Sequence, residues 1–150
     1  MDIGLNILDN LRISIGEDVE SIEKALIANN IEYSIPYDGN SRMILFIESY
    51  GVELSTNKNK VVFIKSSNSD LNYIMQIGMS TPSLVLTEIR AKLAVNFSVP
   101  VEKIRVDRFE ASSFNSIMSI PYSKNRKVRI SLVLGLNKGI YIETMQLIRT

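Results

Sequence analysis

Apolar side chains recur at helical spacing in two stretches of the chain and at strand spacing through most of the rest. Val19, Ile22 and Leu26 fall at i, i+3 and i+7, while Glu17, Glu20 and Lys24 point elsewhere, so residues 17–30 are expected to form a helix. Asn29 and Asn30 supply its stop, because Asn tolerates the left-handed conformation found at helix ends. A second helix has a clear start. Thr81 can accept from free backbone amides, and Pro82 sits where its missing N–H costs nothing. Val85, Ile89 and Leu93 form the stripe, Leu86 and Phe97 widen it, and Pro100 sets its limit. A further short element is expected at residues 3–12, where Ile3, Ile7 and Leu8 recur.

Strands account for the remainder. Residues 31–35 make a short one ending at Pro36. The Asp38-Gly39-Asn40-Ser41 turn then feeds the apolar run at residues 43–47, which reads as a central strand. Residues 51–54 and 61–64 flank the polar tip Asn57-Lys58-Asn59-Lys60 and predict a hairpin, and residues 71–77 one more strand. Ile104 and Val106 alternate with Arg105 and Asp107. Val128, Ile130, Leu132 and Leu134 alternate with Lys127, Arg129 and Ser131, the cleanest half-buried pattern in the chain. Beyond the turn at residues 135–139, residues 140–148 return it.

The tetrapeptide Ser34-Ile35-Pro36-Tyr37 recurs as Ser119-Ile120-Pro121-Tyr122. Each copy precedes a polar turn with Asn and Arg, an apolar strand and a glycine, Gly51 or Gly135. The order of elements, helix then meander, occurs twice, over about residues 17–77 and 80–149 of a single domain, residues 1–150. Hairpin-joined strands need no crossover helix, so the expected fold is α+β, with helices on one face of an antiparallel sheet.

Composition narrows the chemistry. The chain has 150 residues, 45% hydrophobic and 22% charged, enough to bury a core without a metal or disulfide. It has no His, Cys or Trp, which removes Ser-His-Asp and Cys-His catalysis, the common zinc sites and any disulfide scaffold. The glycines are scattered and build no phosphate-cradling loop, and no acidic run has calcium-loop spacing. No apolar run approaches the roughly 18 residues of a membrane span, and the N-terminus lacks the features of a secretory signal. The reading is a cytoplasmic, non-catalytic binding domain without cofactor or metal.

Charge is distributed unevenly. Residues 1–53 hold 10 acidic and 3 basic side chains, a balance of −7, and residues 54–150 hold 6 and 14, a balance of +8. An acidic face suits a basic protein partner, and a basic one suits nucleic acid. Arg105, Arg108, Lys124, Arg126, Lys127 and Arg129 form the candidate basic patch. Aromatics total 7% and do not interleave with it, which gives base stacking little to use.

The Gly-Val-Glu-Leu strand at 51–54, the Val-Val-Phe-Ile strand at 61–64 and Gly78-Met79-Ser80 ahead of the second helix resemble the helix-plus-meander layout of bacterial toxin immunity proteins, of the bacteriocin or contact-dependent inhibition type. That resemblance implies a protein that blocks a cognate toxin by direct contact and performs no chemistry. The candidate contact residues are Glu17, Asp18, Glu20, Glu23, Asp38, Glu48 and Glu53, with Tyr37 and Tyr50 as amphipathic anchors. Immunity proteins against nucleases are often strongly acidic. This chain, with a pI of about 7.9, is acidic only in its first third, which leaves the toxin's activity open. The alternatives are a nucleic-acid-binding or regulatory module using the basic half, and an assembly subunit of a phage or secretion system.

Overall fold

The computed structural model describes Leu8, Leu11, residues 13–78 and residues 80–150. The short element expected at residues 3–12 lies outside the described residues except for Leu8 and Leu11, whose side chains are buried, and so does Met79. The fold is α+β: the described residues form two α-helices and a nine-stranded, fully antiparallel sheet, and strand residues dominate.

Helix α1, Val19–Ala28, buries the expected stripe of Val19, Ile22 and Leu26. Asp18 sits at its N-cap but makes no side-chain cap. Its carboxylate instead bonds Lys60 Nζ at 2.8 Å, and the Val19 amide donates to the Asn59 carbonyl. These contacts pin the start of α1 to the tip of a hairpin. Helix α2, Pro82–Phe97, starts as its sequence requires, with Thr81 Oγ1 accepting from the Leu84 amide. Val85, Ile89, Leu93 and Ala94 are its buried residues.

The strands are β1 Ser34–Asp38, β2 Arg42–Ile47, β3 Val52–Asn57, β4 Lys60–Ser66, β5 Tyr73–Gln76, β6 Arg105–Glu110, β7 Asn115–Ser123, β8 Arg126–Leu134 and β9 Gly139–Arg149. They lie in the order β1-β2-β3-β4-β9-β8-β7-β6. Strand β9 joins the two runs: β8 flanks it on one side, while β4 and then β5 share the other, pairing with residues 144–146 and 139–141 respectively.

Strand register explains the core. Leu45, Leu54, Ile64, Met145, Ile130 and Met118 stand opposite one another across six strands, and all are fully buried. Because side chains alternate along a strand, this row faces one way throughout. Ile22 and Leu26 of α1 and Val85, Ile89, Leu93 and Ala94 of α2 join it in one cluster. The other row has no helical cover among the described residues.

Both edges are poor templates for further pairing. Every residue of β1 is exposed and Pro36 withholds an amide, while β6 carries Arg105, Asp107, Arg108 and Glu110. At the β8–β9 turn, glycine is needed for close approach. A Cβ on Gly135 would come within 2.5 Å of the Tyr141 ring, which packs edge-on against Tyr73 at 5.6 Å.

Several expectations change in detail. The strand expected at residues 31–35 and ending at Pro36 instead runs over Ser34–Asp38, through the proline, which an edge position tolerates. The strand expected at residues 71–77 is shorter, since Ser69–Asn72 forms a 3₁₀ turn before β5. The sequence pattern did not single out β7 along its length. The two Ser-Ile-Pro-Tyr copies sit in unlike places, the first on the outermost strand and the second inside β7, between β6 and β8. Pro121 is tolerated there because β6 pairing stops at Ser119, leaving that stretch of β7 bonded only to β8.

Candidate functional site

The row of side chains opposite the core forms the open face of the sheet, and its two ends differ in character. At the β1–β3 end, Tyr37 pairs with Ile44, which pairs with Ser55 and then Phe63, while Phe46 lies beside Glu53. Ile44, Phe46 and Phe63 are half-buried and Tyr37 is 55% exposed. Two shallow clefts open here, one of about 350 Å³ lined by Glu32, Tyr33, Phe46 and Glu48, and one of about 310 Å³ lined by Tyr37, Arg42, Ile44 and Ser55.

The expected acidic residues do not form one surface. Glu17, Asp18, Glu20 and Glu23 belong to α1 and its approach, on the core side of the sheet. Asp18 is paired with Lys60, Glu20 with Lys24 at 3.3 Å, and Glu23 accepts from the Tyr33 hydroxyl at 3.4 Å. The Glu23 carboxylate, after burial, adds to holding the Tyr33 phenol above its ordinary value. Tyr50 is half-buried and packs on the core. That leaves Tyr37, Glu48 and Glu53 around the apolar end of the open face, with Glu53 opposite Lys65, whereas Asp38 pairs with Met43, which packs on the core, and so falls in the opposite row. Sequence reasoning missed Phe46 and Phe63 as surface residues because each sits within an apolar run.

At the other end, where β6 stops and β7 and β8 continue, lies a pocket of about 250 Å³. Lys103, Arg105, Lys124, Arg126 and Lys127 line it, so four of the six expected basic residues do come together. Arg129 stands one pleat further along, opposite Ser119, and Arg108 is bound to Glu110 at 2.6 Å. Lys103 was not anticipated. It arrives on the 3₁₀ turn Val101–Lys103, whose position follows from α2 and not from any local pattern.

Asp107 organises one wall. Its carboxylate accepts from Arg105 Nη2 at 2.8 Å and Nε at 3.1 Å, and from the Ser119 hydroxyl. Burial pushes this carboxyl up. The Ser119 and Arg105 hydrogen bonds and the charges of Arg105 and Lys127 outweigh that and hold it below the usual carboxylate range. A carboxyl with a lowered folded value contributes stability above its unfolded value near 3.8, and that contribution is lost as pH falls through the folded value. Melting temperatures followed over roughly pH 2 to 6 should therefore fall more steeply at the acid end for the native chain than for Asp107→Asn. Parallel curves would show that the Asp107 carboxylate is not coupled to folding.

No helix among the described residues is long and apolar enough to cross a membrane. No family model, curated protein or solved structure matches the chain.

Proposed function

We propose that the chain is a non-catalytic, cytoplasmic binding protein that neutralises a protein toxin by direct contact, gripping it with the β1–β3 end of its open sheet face. The observation that supports this most is the grouping of Tyr37, Ile44, Phe46 and Phe63 on a face without helical cover, with Glu48 and Glu53 at its margin. Aromatic anchors in an apolar centre with a charged rim are the usual anatomy of a protein interface. The acidic rim fits a partner with a basic surface, which it would steer into register. In this reading strands β1–β3 carry the contact surface, and β9, β8, β7 and β6 extend the same sheet beyond β4.

The test is co-expression with toxin domains encoded beside the gene, followed by calorimetry on the purified pair. The expected result is protection of the host and a complex that Tyr37→Ala with Phe46→Ala weakens by about a hundredfold, on the scale of one or two interface anchors. The exposed core-side change Glu20→Ala should leave affinity unchanged. Absence of protection, or equal losses from both variants, would sink the proposal.

A further inference from the structure

We infer that the pocket at the ends of β6, β7 and β8 is a binding site for a phosphate chain, two or more linked phosphate groups recognised without their organic portion. This inference does not depend on the toxin reading, which uses the opposite end of the sheet face.

Five cationic side chains converge on about 250 Å³, and no carboxylate side chain lines the space. Asp107 stands beside it but is committed to Arg105 and Ser119. It pairs with Arg105 and its charge also acts on Lys127, and by taking the Nε–Nη2 edge of the guanidinium it fixes that plane with the Nη1 side left for phosphate oxygens. Among the described residues, Lys103, Lys124, Arg126 and Lys127 have no ion-pair partner. The clustering continues past the pocket, since Arg126 stands directly opposite Arg149 across β8 and β9. Like charges facing each other across a ladder are destabilising. Both arginines also line an adjoining cleft of about 470 Å³.

A concave site with predominantly positive walls focuses the field on an anion inside it. At roughly 30 Å³ per water the pocket holds about eight, room for two linked phosphates with part of their hydration. The adjoining cleft gives a longer chain somewhere to continue. The Ser123 hydroxyl supplies a neutral donor at the same wall, while Ser119 gives its proton to Asp107. No aromatic ring lines the pocket, and Tyr122 instead turns its hydroxyl against Gly16. Bases therefore have nothing to stack on, and the phosphates carry the recognition.

The experiment is a titration at fixed ionic strength with inorganic pyrophosphate, inorganic phosphate and a nucleoside triphosphate, read by calorimetry and by amide shifts. Pyrophosphate and the triphosphate should bind saturably, about tenfold or more tighter than phosphate, with shifts centred on residues 119–127, because each added charge-assisted contact is worth that order. Lys124→Ala and Arg126→Ala should each weaken pyrophosphate about tenfold. Lys124 is exposed in the β7–β8 turn, so its variant tests the site without a folding cost. Without anion, Arg126→Ala should not lower the melting temperature, whereas a purely structural arginine would. An oligonucleotide lacking a terminal phosphate should bind more weakly than pyrophosphate. Equal binding of that oligonucleotide would overturn the assignment in favour of diffuse backbone attraction. So would absence of saturation, shifts located elsewhere, or an unchanged Lys124→Ala.

Discussion

Replacing Ile130 by alanine should cost about 3–4 kcal/mol of folding stability, the usual range for deleting a large aliphatic side chain from a packed interior. Ile130 has no exposed surface and lies between Met118 on β7 and Met145 on β9, in the row that runs across six strands. Both neighbours are methionines, whose flexible side chains can lean into the space, so the loss should stay below the roughly 5 kcal/mol extreme. Arg129, the adjacent residue, points to the open face, and Arg129→Ala should change stability by less than about 0.5 kcal/mol. Urea unfolding decides the matter. The Ile130→Ala midpoint should fall with an unchanged slope. Equal effects at positions 129 and 130 would mean that the inward and outward rows are wrongly assigned.

Replacing Arg90 should produce the next largest loss, about 2–3 kcal/mol for Arg90→Ala, the worth of paired hydrogen bonds from a charged donor. From α2, its Nη2 atom donates to the Ile104 carbonyl at 2.8 Å and the Val101 carbonyl at 3.1 Å. Without the guanidinium the Ile104 carbonyl loses this donor beside its own buried side chain, while the Val101 carbonyl keeps the Ile104 amide. A lysine carries the charge but ends one atom short of Nη2, the nitrogen that reaches both carbonyls, so Arg90→Lys should recover less than half of the loss. Full recovery by lysine in the same denaturation experiment would show that charge alone matters. Lys103 and Arg105 flank Ile104, so this one side chain also holds the wall of the basic pocket in place.

How much of this was readable along the chain depended on how local the cause was. The stripe Val19, Ile22 and Leu26 and the Thr81-Pro82 start are properties of a few neighbouring residues, and both stand as the spacing requires. The β3–β4 hairpin and β8 were legible for the same reason. Strand β7 was obscured because its inward positions include Ser116, whose hydroxyl is satisfied by the Arg108 carbonyl of β6. A buried serine breaks the apolar alternation, and its partner is visible only once β6 is in place. The pairing of β4 with β9 has no local signature at all. The acidic cluster misled in a similar way: closeness in sequence placed Glu17 to Glu23 on a helix over the core, whereas Tyr37 and Phe46 share a face through pairing. The basic residues fared better because most of them belong to one hairpin, β7–β8, whose turn and strand ends gather them.

The position of β9 has a consequence for the chain as it is made. Residues 63–65 of β4 wait for residues 144–146, about 80 positions later, before their outer edge is covered. At typical synthesis rates of roughly 5–20 residues per second, that edge stays open for about 4–16 seconds on the ribosome. Phe63 and Ile64 lie in it, with Lys65 beside them as the only charge of the three. An unpaired strand with that composition invites association with other nascent chains. The interval before β9 emerges is therefore when this protein is most dependent on a chaperone, and slowing translation after β4 should lower its soluble yield.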